Sequence, residues 1–163
     1  MYHLAQVNIA RALAPLDDPL LAAFVAQLDT INALADASPG FVWRLQGDGG
    51  NATSIRAYDD ERIIVNMSVW DSLEALTAFV YASAHRPVMR RRRAWFARFD
   101  GPYMALWWVP TGHRPDVAEA KERLDHLRAH GPTPIAFSFT HAFPAPGETH
   151  ISRADGIEAT CGV

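Results

Sequence analysis

Tyr81 and His85 lie four residues apart, the spacing that brings two side chains to one side of a helix. An imidazole titrates near neutrality, so His85 can serve as a general acid or base with the Tyr81 phenol beside it. Two residues on, Pro87 disfavours the α conformation at Arg86 and removes a helical hydrogen bond. A break is therefore predicted near His85–Arg86, and the carbonyls freed there would stabilise a protonated ring. The same carbonyls allow a plainer role, a structural histidine bonded to backbone. Arg92 is the third catalytic candidate. Val88, Arg92, Trp95, Phe96 and Phe99 fall on one stripe of the restarted helix, which sets a guanidinium among apolar groups. There it can bind an anionic substrate group or stabilise an enolate, or instead snorkel or pair with an internal carboxylate.

The candidates for substrate binding lie on strand-like runs. Asn8 and Asn66, with Gln6, Arg44 and Ser68, are polar positions in segments that also carry Trp43, Trp70, Trp107 and Trp108. A few amides among tryptophans are what a small-molecule pocket uses. Hydrogen bonding within the core or at a seam between two copies is the alternative. Trp107 and Trp108 are adjacent, so a strand sends them to opposite faces and only one can line a given pocket. His113, just ahead of Arg114 and Pro115, either closes a pocket mouth or ties down a loop. His126 and His130 have metal-ligand spacing but lie opposite the apolar stripe of their helix. His3 and His141 are isolated, so no metal site is predicted. The chain has no glycine-rich phosphate loop, dinucleotide fingerprint or nucleophile elbow.

The elements that must hold these residues read strand, helix, strand, strand, helix, strand, then an added helix and strand. Residues 2–10 alternate as a strand, with His3, Ala5, Val7 and Ile9 on one face and Tyr2, Leu4, Gln6 and Asn8 on the other. A helix follows Pro19 as far as Ala37, with Leu21, Phe24, Val25, Leu28, Ile31, Asn32 and Ala35 inward. Phe41–Gln46 and Arg62–Trp70 are strands, joined by a polar, glycine-rich loop expected to be mobile. Asp71 or Ser72 caps a helix through Leu73, Leu76, Val80 and Ala84, and the piece after Pro87 runs to Phe99. Tyr103–Val109 is a strand. Asp116 to Glu119 forms a capping box for a helix that turns Val117, Ala120, Leu124 and Leu127 inward and stops at Gly131. Ala136–Phe143 is predicted as a last strand. Residues 1–144 are expected to form one domain and residues 145–163 a flexible tail.

The first six elements are the β-α-β-β-α-β order of a ferredoxin-like unit, an α+β fold. Helices on one face of a single sheet would leave the other face bare and apolar, and a second copy of the chain is the commonest way to cover it. A homodimer is the expected assembly. With 163 residues, 49% hydrophobic and 20% charged, the chain has room for one domain with one core. The net charge of −3 gives no pull toward nucleic acid or anionic membrane, and the arginines at 90, 91 and 93 read as a solvated helix face. No apolar run is long enough to span a bilayer, and the first residues do not read as a signal peptide. The only cysteine, Cys161, excludes an intrachain disulfide, so a cytoplasmic location is expected.

Several stretches carry a family likeness: Asn66-Met67-Ser68-Val69-Trp70, Tyr81-Ala82-Ser83-Ala84-His85, Arg93-Ala94-Trp95-Phe96, the run from Leu106 to His113, and Gly131 to Phe137. Over about residues 2–144 the chain resembles a bacterial family, domain of unknown function 3291. That resemblance implies a dimeric α/β barrel of the kind that includes antibiotic-biosynthesis monooxygenases. It implies, by analogy alone, a cofactor-independent monooxygenase-like oxidoreductase acting on an apolar or aromatic metabolite. In that reading His85 takes a proton, Asn66 or Arg92 holds the enolate, and the tryptophans exclude water. A cofactor-free isomerase or cyclase would need the same parts. A non-catalytic ligand-binding dimer, or a haem-binding one using His85 or His113, is a further alternative. No other cofactor is expected.

Overall fold

Apolar and polar residues alternate along the N-terminal segment, and this segment forms the longest strand, β1 (Tyr2–Ala12). The structure, a computed structural model, describes residues 1–81 and 92–149. His85, the expected break at Arg86–Pro87, and Cys161 in the tail lie outside the described residues.

The sheet is built on β1. Its inner edge pairs antiparallel with β3 (Ile63–Trp70), in register from Leu4 opposite Trp70 to Arg11 opposite Ile63. The far edge of β3 takes β2 (Phe41–Arg44). The outer edge of β1 takes two strands in turn. The first is the two-residue β4 (Phe96–Ala97), opposite Ala12 and Arg11, and the second is β5 (Met104–Pro110), opposite Tyr2 to Asn8. The order β2–β3–β1–β5, antiparallel throughout, is that of a ferredoxin-like sheet, and the sheet is open.

The first and last helices start and stop, and the second starts, where the sequence signals them. The Asp18 carboxylate accepts the Leu20 N–H and opens a single 3-10 turn ahead of α1 (Ala22–Asp36). Gly40, at φ 79, follows α1, and a side chain there would collide with Asp71 and Ala75. That close approach pins the end of α1 to the start of α2 (Leu73–Tyr81), where the Ser72 hydroxyl accepts the Ala75 N–H at 3.2 Å. Asp116 caps α3 (Val117–His130) by accepting the Glu119 N–H at 2.8 Å, and Gly131 at φ 72 ends it.

The two faces of the sheet are covered by different elements. Ala5, Val7 and Ile9 of β1, Val65, Met67 and Val69 of β3, and Ala105, Trp107 and Val109 of β5 are buried beneath Ala120, Leu124 and Leu127 of α3. The opposite face meets α1 and α2. At one end of it Leu4, Trp70 and Leu106 pack with Ala35 and Leu76; at the other Ala10 and Ala12 pack with Leu21, Trp95 and Phe96.

Several expectations are corrected. The sheet face expected to be bare is buried within the chain, because α3 lies across it and Ile55, Ala57 and Tyr58 of the 47–61 loop pack beside it. That loop is anchored on the core, and Lys121 donates to the Ala57 carbonyl at 3.0 Å. The last strand, 136–143, is reduced to a single pairing of Phe137 with Leu106 on the free edge of β5, because Ser138 and His141 then bridge each other in a turn that carries the chain away. The helical stretch before β4 ends at Trp95 and does not reach Phe99, since Phe96 and Ala97 are taken up by β1. Val25 faces solvent and not the core.

Candidate active site between the sheet and the first helix

On the α1-facing side, alternation puts Gln6 and Asn8 of β1 beside Asn66 and Ser68 of β3. They form two cross-strand pairs in register, Gln6 with Ser68 and Asn8 with Asn66. This quartet lies between the two apolar clusters of that face, the one at Trp70 and the one at Phe96. Above it, the inward positions of α1, namely Phe24, Gln27, Leu28, Ile31 and Asn32, are only partly buried. Asn66 is exposed between buried Val65 and Met67, at a point on β3 that the pairing with β2 does not reach. Solvent therefore reaches Asn66 on the α1-facing side of the sheet. The amides of Asn8 and Asn66 make no side-chain hydrogen bond to any described residue, so they remain available to a ligand.

The other pair is closed off. Trp70 Nε1 donates to Ser68 Oγ at 2.9 Å, and Ser68 Oγ donates to Gln6 Oε1 at 2.9 Å. Gln6 and Ser68 are the two buried polar residues of the sheet. Trp70 stacks on Phe79 of α2 at 5.1 Å and meets Phe41 edge-on at 5.4 Å, which fixes its indole and hence the chain of bonds. Gln6 and Ser68 were recognisable as polar strand positions, but alternation alone does not show that they bond to each other.

The structure divides the tryptophans expected to bind substrate. Trp70 and Trp108 lie on the α1 side, with Trp108 half-buried and its Nε1 donating to the Phe143 carbonyl at 2.8 Å. Trp107 and Trp43 lie on the α3 side. A register shift between Phe41 and Trp43 turns those two residues to opposite faces, which is why Phe41 meets Trp70 and Trp43 does not. His113 also lies on the α3 side. Its Nε2 is 2.7 Å from Glu119 Oε2, and Glu119 Oε1 accepts the Trp107 N–H at 2.8 Å. Glu119 thus binds β5, the loop after it and α3 together. Sequence reading saw this residue only as part of a capping box; a buried tryptophan needing an acceptor was the missed signal.

Arg92 sits where β4 gives way to β5 along the edge of β1. Its guanidinium donates to the Ile9 carbonyl at 3.3 Å and lies over the Tyr103 ring at 4.5 Å and the Phe96 ring at 5.7 Å. Burial holds it below its ordinary pKa, an effect that Tyr103 opposes. No carboxylate is paired with it among the described residues, and its bond to Ile9 fills the gap in the ladder between the two strands. Arg44 is engaged in a two-point pairing with Asp36 that ties β2 to α1. Tyr81 is half-buried on α2. The described residues therefore put Asn8, Asn66, Trp70 and Trp108 on one face of the sheet and Trp43, Trp107 and His113 on the other. No group of three or more acidic, histidine or cysteine side chains that could hold a metal ion occurs among the described residues.

No curated protein shows significant sequence similarity to the chain. Among solved structures, it is similar to SnoaB of Streptomyces nogalater, a cofactor-independent oxygenase, at 16% identity and TM-score 0.44, over 70% of this chain and 97% of that one. A candidate antibiotic biosynthesis monooxygenase from Chloroflexus aurantiacus aligns at 20% identity and TM-score 0.44, over 69% of this chain and 97% of that one. PA3566 from Pseudomonas aeruginosa aligns at 14% identity and TM-score 0.45, over 67% and 93% of the two chains. The sequence match is more extensive: the model of the family described as domain of unknown function (DUF3291) covers residues 3–153, and the chain belongs to that family.

Proposed function

We propose that the chain is a small-molecule oxidoreductase of the cofactor-independent monooxygenase kind, acting on an apolar or aromatic metabolite through a carbanion. The observation that supports this reading is the position of Asn8 and Asn66, two unengaged amides open to solvent between two aromatic clusters. Such a site seats a flat apolar molecule and gives its oxygen hydrogen-bond donors.

In this reading a base removes a proton from a substrate CH₂ next to a carbonyl. His85 is assigned as that base from the sequence, with Tyr81 beside it. The amide N–H groups of Asn8 and Asn66 hold the enolate oxygen that forms. The carbanion gives its electrons to molecular oxygen, the resulting peroxide is protonated, and loss of water leaves a new carbonyl. One oxygen atom enters the product and the other leaves as water. The site residues supply no electrons; they bind, orient and exclude bulk water. Pairing with a second copy, which the family resemblance implies, would in this reading use a surface other than the sheet face covered by α3.

One observation favours a second reading, non-catalytic binding: Gln6, Asn8, Asn66 and Ser68 are all uncharged. Anthrone, an enolisable aromatic ketone, separates the two with an oxygen electrode. Uptake of one oxygen per product formed, lost on replacing His85 with Ala, supports the oxygenase. Conversion under argon indicates an isomerase or cyclase. Binding with no conversion leaves the carrier reading.

A further inference from the structure

Gln6 is 6% exposed, so its side-chain amide is almost wholly withdrawn from water. Half of that amide has a fixed partner, because Gln6 Oε1 accepts from Ser68 Oγ at 2.9 Å. The other half, Nε2 with its two N–H groups, meets no acceptor among the described residues. Nor is Nε2 among the fully enclosed side-chain polar atoms of the described residues that make no hydrogen bond. The nitrogen therefore keeps a small contact with solvent, on the same strand face as Asn8 two residues along, about 7 Å away.

The orientation of this amide follows from chemistry further back. An indole N–H only donates, so Trp70 Nε1 must give its hydrogen to Ser68 Oγ, 2.9 Å away. Ser68 keeps one hydrogen, and Gln6 is its acceptor. Turning the Gln6 amide over would aim two donors at Ser68 Oγ and leave a buried hydroxyl hydrogen unsatisfied. The sequence of bonds Trp70 to Ser68 to Gln6 thus runs in one direction and ends in a donor.

We propose that Gln6 is a substrate-binding residue that selects an acceptor oxygen, with Ser68 and Trp70 as positioning residues that fix its polarity. The ligand class this picks out is a flat apolar molecule with a carbonyl, enolate or phenolate oxygen at its edge. An ammonium, which only donates, faces N–H groups at the same position and is rejected. This proposal rests on the reading that the opening over Asn8 and Asn66 is the substrate site.

The test uses two probes of nearly the same shape, 1,4-naphthoquinone and naphthalene, followed by the side-chain amide resonances of nitrogen-15-labelled protein. Gln6→Glu identifies the Gln6 signals. The expected result is that the Gln6 N–H pair moves with naphthoquinone and not with naphthalene. Ser68→Ala frees the amide to turn over and is expected to weaken naphthoquinone about tenfold while leaving naphthalene unchanged. Ser68→Thr keeps the hydroxyl and is expected to restore the difference. If the Asn8 and Asn66 signals move and those of Gln6 do not, the role of Gln6 is overturned and the site stands. If none of the three moves at the solubility limit of the quinone, the site reading itself fails.

Discussion

Asn8 and Asn66 stand directly opposite one another on β1 and β3, and Asn66 is exposed between buried Val65 and Met67. An exposed amide without partners contributes little to folding. Asn66→Ala is therefore expected to change stability by no more than about 0.5 kcal/mol. Removing its donor should weaken binding of 1,4-naphthoquinone about tenfold, the worth of one hydrogen bond in a partly dry site. Thermal melts and a fluorescence titration read the two effects separately. A fall of several degrees in Tm with affinity unchanged would make Asn66 a structural residue and remove it from the site.

Glu119 offers the opposite case, a residue whose loss should destabilise the fold and spare the site. Its carboxylate serves Trp107 at 2.8 Å and His113 at 2.7 Å on the α3 side of the sheet. Glu119→Ala leaves the N–H of a buried indole without its acceptor, which costs about 1–3 kcal/mol. Glu119→Gln retains an acceptor oxygen and should lose less. Urea unfolding measures both, and probe affinity should remain unchanged because Glu119 and the amide quartet lie on opposite faces. A loss of probe binding in Glu119→Gln with stability intact would show that the two faces are coupled.

The architecture was legible because β1 and β3 alternate cleanly and the caps at Asp18, Ser72 and Asp116 lie where the helices start. The contrary orientations of Trp107 and Trp108 followed from the same alternation. Period two carries no information about irregular pairing, so the shift that separates Phe41 from Trp43 was invisible, and Trp43 was grouped with residues on the other face. The amphipathic stripe of α3 said that the helix packs on something, without saying that its target was the sheet face otherwise left for a partner. Gln6 and Ser68 stood out as polar strand residues, whereas their bond depends on register between segments 62 residues apart. The shortened last strand had the β propensity of a strand, but the turn at Ser138–His141 decides how much of it pairs.

Asp60 gives a pH dependence with a definite sign. Its carboxylate is held below its ordinary value of 3.8, first by the backbone N–H of Arg62 and then by the Arg62 side chain, with Arg11 also nearby at 3.1 Å. A group whose folded pKa is lowered contributes stability in full above its unfolded value and loses it as pH falls through the lowered one. The contribution of Asp60 should therefore be constant above pH 3.8 and decline below it. Because other carboxylates titrate in the same range, the useful quantity is the difference in urea midpoint between the wild type and Asp60→Asn. That difference should shrink as the solution is acidified. A difference that grows on acidification would contradict the sign.

The coverage of the sheet by α3 leads to a prediction about concentration. Leu124 is fully buried against a sheet face that includes Val7, Met67 and Trp107, and all of these groups belong to one chain. Leu124→Ala should cost about 2–5 kcal/mol, as truncations in a packed core do. If a partner sheet supplied part of that cover, association would be linked to folding and Tm would rise with protein concentration. With the cover supplied in cis, the loss in Tm from Leu124→Ala should be the same at every dilution, whether or not the chain pairs through another surface. Calorimetry over a hundredfold range of concentration, alongside sedimentation equilibrium, measures this. A wild-type Tm that climbs with concentration, and a Leu124→Ala Tm that does not, would place the partner on this face and displace α3 from its role.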